Sequence, residues 1–203
     1  MDKILQIEND AFVQIEIKKS KFLCFSFAVQ SKQQVEEIIA KLKTQQKDAT
    51  HVCYGYVLNG QEKAFDDGEP QGTAGKPILD CIKRKKLNNT LVVIVRYFGG
   101  IKLGAGGLIR AYSNGAKTVL DNSGTKEKTI CNKISFKVQL NEQKQLQNLL
   151  KNNLILKNEI EYQQDINVNI YFLPENLNNL VRLLNDCFAK QIQFVVDERV
   201  YYV

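Results

Sequence analysis

Five of the chain's twelve glycines lie within nine positions, in the stretch "FGGIKLGAGGLIRAY". Glycine is entropically costly unless a positive φ or a close approach of the backbone is needed. The stretch follows a run of β-branched residues and leads into an apolar pattern of helical period, which predicts a turn from a strand into a helix. Unpaired backbone N–H groups and the helix dipole face such a turn, so it is a candidate anion site.

This glycine loop (residues 99–107) offers two kinds of group to a phosphate: bare backbone and nearby cations. The candidate residues are Gly104, Gly106, Gly107, Arg96, Lys102 and Arg110. The spacing fits neither the P-loop, which needs Lys-Ser/Thr after its last glycine, nor the G-x-G-x-x-G fingerprint. The alternative is that these glycines permit tight packing of the helix against a neighbouring loop. The residues alone leave both interpretations open.

A second segment, "DDGEPQGTAGKP", is here named the acidic loop (residues 66–77). Its carboxylates could ligate Mg²⁺ or pair with Arg96 and Arg110, and a turn stiffened by two prolines is the plainer interpretation. We favour pairing or turn roles and predict no metal. We expect the two loops to lie side by side, with both arginines close to the carboxylates. The residues assigned to this supporting loop are Asp66, Asp67, Glu69, Gly72 and Thr73.

The composition is that of a soluble globular protein, with 44% hydrophobic and 25% charged residues. The five cysteines are scattered and there is one histidine, so we expect free, mostly buried thiols in a reducing compartment and no zinc site. No apolar run reaches the ~20 residues of a membrane helix. We therefore expect a cytoplasmic protein that does not bind membranes and needs no cofactor.

Charge and glycine content divide the chain into two parts. Residues 1–128 hold 20 of the 28 Lys and Arg and 14 of the 22 acids, so the whole net charge of +6 belongs there. All glycines lie between Gly55 and Gly124. The polar stretch 121–129 between the parts indicates a boundary, which predicts domains at 1–124 and 130–203. The cationic excess favours a polyanionic partner, although a solvated lysine-rich face would give the same count.

The elements expected in the first domain are a hairpin over 12–29, a helix from Ser31, strands at 51–58 and 90–98, a short helix after the acidic loop, and a helix after the glycine loop. The strand at 90–98 is apolar throughout, which indicates cover on both faces. The second domain has the order βαββαβ, which is the ferredoxin-like pattern. The fold class is therefore α+β in two domains.

The segments "DATHVCYGY", "FDDGEPQGTAGKPIL" and "VVIVRYFGGIKLGAGGLIRAY" resemble the Impact/YigZ family over residues ~15–120. The resemblance brings His51 and Lys76 into the candidate site, although arginine is common in the family where Lys76 stands. It implies a two-layer α/β first domain like ribosomal-protein domain 2 and domain IV of elongation factor G. It also implies a ferredoxin-like second domain. Eukaryotic members are associated with translational control through a kinase-activating partner, and bacterial members are suggested to bind nucleic acid or ribosomes.

Three functions compete, and we favour a non-enzymatic module bound to RNA, the ribosome or a translation-control protein. A small-molecule kinase of GHMP type is the alternative, but "KLGAGGL" lacks the hydroxyl residues of such a phosphate loop. A hydrolase would need a nucleophile with a positioned base, and no such pair is evident, so no catalytic residue is assigned. The sequence does not determine the oligomeric state.

Overall fold

The computed structural model describes residues 3–188 and 192–203, and the chain divides into two compact units, with residues 4–127 forming the first. The elements up to the end of the first unit are β1 (Lys3–Ile7), β2 (Ala11–Ile17), β3 (Ser20–Ala28), α1 (Lys32–Gln45), β4 (His51–Leu58), β5 (Gln61–Phe65), α2 (Gly75–Arg84), β6 (Thr90–Tyr97) and α3 (Ala105–Asn122). Five of these strands form an antiparallel sheet in the order β2-β3-β6-β4-β5. None of the helices in the described ranges is long and apolar enough to cross a membrane.

The central strand β6 explains why both faces of this sheet are covered. Val92 and Ile94 point to one face and pack with α2 and α3, while Val93 and Val95 point to the other and pack with α1. Successive side chains of a strand alternate between faces, and here both sets are apolar and fully buried. The unit therefore has three layers, which corrects the two-layer architecture that the family resemblance implied.

Local features of the first unit follow the sequence closely, with two omissions, the short strands β1 and β5. Lys18 and Lys19 turn the β2–β3 hairpin with φ values of 46° and 64°. The side chain of Ser31 caps α1 by accepting from the N–H of Gln34. Strand β5 was not predicted, because it is an edge strand whose residues are all exposed and show no apolar alternation.

The second unit contains most of β7 (Thr125–Val138), which begins three residues before the unit does. The remaining elements are α4 (Gln143–Leu150), β8 (Ile155–Tyr162), β9 (Ile166–Phe172), α5 (Leu177–Cys187) and β10 (Phe194–Tyr202). The strands pair antiparallel in the order β10-β7-β9-β8, and one face packs against α4 and α5. The element order βαββαβ agrees with the prediction.

Candidate functional site

The carboxylate of Asp66 occupies the N-terminal end of α2. It accepts hydrogen bonds from the backbone N–H groups of Gly72 at 2.8 Å, Ala74 at 3.0 Å and Gly75 at 2.8 Å. The first N–H groups of a helix have no partner within the helix, and the dipole there favours a negative charge. The chain therefore supplies its own anion to α2, and Asp66 is a capping residue.

Asp67 ties the acidic loop to β4 and α1. Its carboxylate accepts from the N–H of Val52 at 2.8 Å and from Lys43 Nζ at 3.1 Å. His51 lies 2.8 Å through Nδ1 from the Asp67 carbonyl oxygen, which can only accept, so Nδ1 carries a hydrogen. Nε2 of His51 is 3.9 Å from a carboxylate oxygen of Glu69. The cation paired with Asp67 is therefore Lys43, where the sequence suggested Arg96 or Arg110.

Glu69 and Arg96 form a buried ion pair between the acidic loop and the end of β6. Arg96 Nη1 is 2.6 Å from Glu69 Oε1, and the two side chains are only 6% and 3% exposed. The hydroxyl of Tyr112, on α3, donates to the same oxygen at 2.7 Å. Three elements thus meet at one carboxylate: the acidic loop, β6 and α3. This pairing confirms the expectation that Arg96 lies close to an acid of the loop.

Two further groups complete this buried network. Cys53 Sγ donates to the Asp66 carbonyl oxygen at 2.9 Å and lies 3.4 Å from the Tyr112 hydroxyl oxygen. Burial raises the pKa of the Cys53 thiol to about 12, and burial also raises the pKa of Tyr112 above its usual value. Because both groups keep their protons at neutral pH, neither is an activated nucleophile. Sequence reasoning missed the role of Tyr112, although a buried tyrosine hydroxyl regularly needs a partner.

The remaining predicted residues of the acidic loop divide between buried and exposed positions. Thr73 is buried and donates its hydroxyl hydrogen to the Pro70 carbonyl oxygen at 2.5 Å. Gly72 has a φ of +75°, and a Cβ there would meet nothing within 4 Å. Lys76 is exposed on α2, with no carboxylate partner among the described residues. Thr73 therefore fixes the turn, and Lys76 projects a charge to solvent.

Helices α2 and α3 run parallel on the same face of the sheet. Cys81 Sγ donates to the Ser113 carbonyl oxygen at 3.5 Å, and one turn later Lys85 Nζ lies 2.7 Å from Asp121. Both contacts advance in the same direction along the two helices, so their N-terminal ends lie at the same end of this face. The acidic loop and the glycine loop lead into those two ends.

The N-terminal end of α3 is built differently from that of α2. Gly104 is the N-cap residue with φ +72°, no side chain caps this end, and the first turn carries no acid. The first N–H used within the helix is that of Leu108, which donates to Gly104. In the described part of the chain, no hydrogen bond is found for the N–H groups of residues 105–107. These three donors therefore have no protein acceptor among the described residues.

The space around each glycine of the glycine loop shows whether close packing requires glycine at that position. A Cβ on Gly104 would meet nothing within 4 Å, and one on Gly106 would meet only Arg110 Nη1, at 4.0 Å. By contrast, a Cβ on Gly99 would lie 2.0 Å from the Lys19 backbone, and one on Gly107 would lie 3.1 Å from Leu103. Close packing therefore accounts for Gly99 and contributes at Gly107. It does not account for Gly104, where the positive φ favours glycine, or for Gly106.

The predicted cations of the glycine loop project to solvent. Lys102 and Arg110 are exposed, and within residues 3–188 and 192–203 neither forms an ion pair. The expected contact of Arg110 with the acidic loop is not found. Three large apolar side chains of the same segment are also exposed: Phe98 at 47% and Ile101 and Ile109 at 42% each. The open end of α3 is thus surrounded by free cations and exposed apolar surface.

Comparison with known proteins places this architecture and its two loops in one family. Residues 18–120 match the model of the Impact N-terminal domain. The chain therefore belongs to the IMPACT family, which confirms the resemblance seen in the sequence motifs.

Individual relatives extend the likeness to both units. The IMPACT family member YvyE of Bacillus subtilis is 38% identical over 168 residues, which cover 81% of this chain and 77% of that protein. The IMPACT family member YigZ of Escherichia coli is 37% identical over 119 residues, covering 56% and 58% of the two chains. A crystal structure of a hypothetical protein aligns with a TM-score of 0.70 and 26% identity over 98% of this chain and 100% of that one.

Proposed function

We propose that the first unit is a non-enzymatic nucleic-acid-binding module that acts in the regulation of translation in the cytoplasm. The observation that carries this proposal is the open N-terminal end of α3. Three backbone N–H groups there have no acceptor in the described chain, and open space lies above Gly104 and Gly106. Phosphate is the anion for which such a helix end is suited, and RNA presents phosphates in series.

The surrounding charges strengthen this assignment. Lys102 and Arg110 flank the open backbone and are not engaged by carboxylates in the described residues. The acids of the acidic loop are already held by Arg96, Lys43 and the N-terminal end of α2. Because these acids are compensated within the fold, they leave the positive potential of the glycine loop intact.

Binding without catalysis fits the chemistry of the buried groups. A phosphate-transfer site needs hydroxyl groups and carboxylates free to hold a metal, whereas the hydroxyl of Thr73 is bonded to Pro70 and each carboxylate of the acidic loop has protein partners. The thiol of Cys53 is held protonated, because burial raises its pKa to about 12.

Family membership supports the connection with translation. The resemblance associates eukaryotic Impact proteins with translational control, and it implies folds found in ribosomal proteins and elongation factors. The strand order β10-β7-β9-β8 supports a ferredoxin-like assignment for the second unit. Residues 129–203 carry no net charge, so we place the proposed RNA site in residues 1–128.

The test is filter binding of single-stranded RNA to the full chain and to Gly106→Val, Lys102→Ala and Arg110→Ala. Gly106→Val should abolish binding, because a side chain would stand where a phosphate approaches the backbone. Each lysine or arginine variant should bind about 5-fold more weakly at 0.1 M salt, since each single-strand phosphate contact contributes about 0.7 to the salt slope. The matched control is Lys41→Ala, which removes an exposed cation of α1 on the opposite face.

Two outcomes would contradict the proposal. One is wild-type protein that binds no RNA even at low salt. The other is wild-type affinity in all three glycine-loop variants, which would move any RNA contact elsewhere. Circular dichroism and thermal melts of the same samples show whether each variant is folded, and the open space at Gly106 leads us to expect that Gly106→Val is.

A further inference from the structure

A stretch of forty residues, 81–120, runs from the last turn of α2 to near the end of α3 and has no acidic residue. Between Asp80 and Asp121 there are eight cations and no Asp or Glu: Lys83, Arg84, Lys85, Lys86, Arg96, Lys102, Arg110 and Lys117. Three of them are neutralised by acids from outside the stretch, in the pairs Lys83–Glu62, Lys85–Asp121 and Arg96–Glu69. Of the other five, Lys117 helps to lower the pKa of the Asp121 carboxyl, while Arg84, Lys86, Lys102 and Arg110 form no ion pair in the described residues. The positive charge is therefore concentrated on this part of the surface.

Part of this charge follows one stripe of α3. Gly106, Arg110, Asn114 and Lys117 recur at intervals of four, four and three residues, which places them on one side of the helix. The last three are exposed. With a rise of 1.5 Å per residue, the stripe from Gly106 to Lys117 is about 17 Å long. It starts at the open helix end and contains no negative side chain.

The far end of the stripe opens into a groove between α2 and α3. This groove has a volume of about 490 Å³ and is lined by Cys81, Arg84, Lys85, Ser113, Asn114, Lys117 and Asp121. Arg84 donates from Nε to the Asp80 carbonyl oxygen at 3.3 Å and from Nη2 to Cys81 Sγ at 3.2 Å. These bonds hold its guanidinium on the groove side of α2, facing the helix that carries Lys117.

We propose that a single strand of RNA lies along this α3 track, from the glycine loop to the α2–α3 groove. The inference rests on the proposed function and adds the path and the strandedness of the ligand. Phosphates contact Lys102 and Arg110 at one end and Lys117 and Arg84 at the other.

The exposed ring of Phe98 favours a single strand over a duplex. It directly precedes the glycine loop, and 47% of the residue is exposed. An unpaired base can stack on such a ring, whereas a base within a duplex cannot reach it. The same ring distinguishes RNA from an acidic peptide, which would use the cations and gain nothing from an aromatic platform.

The experiment compares two RNA lengths on a pair of charge-matched double variants of the full chain. Arg84→Ala/Lys117→Ala removes the exposed cations of the groove, and Lys41→Ala/Lys47→Ala removes two exposed cations of α1 and the turn after it. An oligonucleotide of twelve nucleotides can span the track, and one of three nucleotides cannot. Affinities are measured by fluorescence anisotropy over a range of salt concentrations.

We expect the groove variant to bind the 12-mer about 25-fold more weakly than wild type at 0.1 M salt. Its salt slope should be smaller by about 1.4, the value for two lost phosphate contacts. Its affinity for the 3-mer should be unchanged, and the α1 variant should match wild type with both RNAs. Phe98→Ala should weaken the 12-mer without changing the salt slope, because stacking releases no counterions.

Failure of the inference is distinguishable from failure of the proposed function. If Gly106→Val loses RNA and the groove variant retains wild-type affinity for the 12-mer, the track is wrong and the glycine-loop site stands. If wild-type protein binds neither RNA, both are wrong. Equal weakening of both RNAs by the groove variant contradicts the path. Competition by a poly-glutamate 12-mer at the same concentration as RNA contradicts the assignment of RNA as the ligand.

Discussion

The N-terminal ends of α2 and α3 lie at the same end of one sheet face and follow glycine-containing loops, but they are finished in opposite ways. At α2, the carboxylate of Asp66 accepts three backbone hydrogen bonds, and Gly75 packs so closely on Phe65 that a Cβ would lie 2.4 Å from its backbone nitrogen. At α3, no side chain caps the helix, and Gly104 and Gly106 border open space. The N–H groups at the start of α2 thus have a carboxylate acceptor within the fold, whereas those at the start of α3 have no acceptor in the described residues.

At Gly75 close packing requires glycine and at Gly104 the positive φ favours it, whereas neither reason applies at Gly106. An acid in the first turn of a helix typically contributes 0.3–1 kcal/mol, and an N-cap side chain contributes about 1 kcal/mol. Neither helix has an acid in its first turn or a capping side chain on its N-cap residue, but the carboxylate of Asp66, from the preceding loop, makes a comparable contact at the N-terminal end of α2. No carboxylate in the described residues does so at α3. Functional sites are where proteins most often break the rules of local stability. An uncapped helix end beside cations that form no ion pair is such a departure, and it fits a binding site.

The largest predicted effect concerns the buried pair that anchors the acidic loop. Glu69→Ala leaves the Arg96 guanidinium buried without its carboxylate and leaves the Tyr112 hydroxyl without its acceptor. Removing one partner of a buried ion pair costs about 3–5 kcal/mol. We therefore expect urea denaturation to show a loss of that size in the free energy of unfolding.

A matched double variant sharpens this test. Glu69→Leu combined with Arg96→Met replaces the pair by apolar side chains of similar volume and should recover most of the lost stability, because no buried charge is left unpaired. A loss below about 1 kcal/mol in Glu69→Ala would show that the pair does not hold the loop. The interpretation of the acidic loop at α2 as a structural element would then be wrong.

The second prediction compares glycines at the starts of the two helices. Gly75→Ala should cost about 1–3 kcal/mol, because its Cβ would meet the backbone of Phe65 at 2.4 Å and the strand or the helix must move. Gly106→Ala should be neutral or stabilising by up to about 1 kcal/mol, because its Cβ meets open space and alanine favours helix. Thermal melts of the two variants measure the difference. Equal destabilisation by both would show that Gly106 also serves packing.

The sequence predicted the elements well, because their signals are local. The hairpin turn at Lys18–Lys19, the cap at Ser31 and the apolar strand β6 each carry their own pattern of residues. Strand β5 was missed because pairing with β4 defines it and its own side chains are all exposed. The third layer of the first unit follows from the two apolar sides of β6, which the sequence did show.

The partners within the site were harder to predict, because they depend on which side chains the fold brings together. Arg96 and Arg110 are equally plausible partners of the acidic loop in the sequence. Only Arg96 pairs with it, since β6 ends beneath the loop while Arg110 faces solvent on α3. In the same way, nothing in "DDGEPQG" distinguishes Asp66, which caps α2, from Asp67, which binds Lys43.

The last prediction concerns a variant in which the N-terminal end of α2 loses its carboxylate and so resembles the N-terminal end of α3. Asp66→Ala removes the carboxylate from α2 and leaves the N–H groups of Gly72, Ala74 and Gly75 without their acceptor. Because Asp66 is partly exposed, water can replace it, and the cost should be that of a lost cap, about 1–2 kcal/mol. The emptied position should then accept inorganic phosphate, as we propose for α3. In a Gly106→Val background, which blocks the α3 end, phosphate should raise the melting temperature of Asp66→Ala and leave that of the Gly106→Val parent unchanged. If phosphate stabilises both chains equally, the anion binds elsewhere, and Asp66 does not stand in for a phosphate at α2.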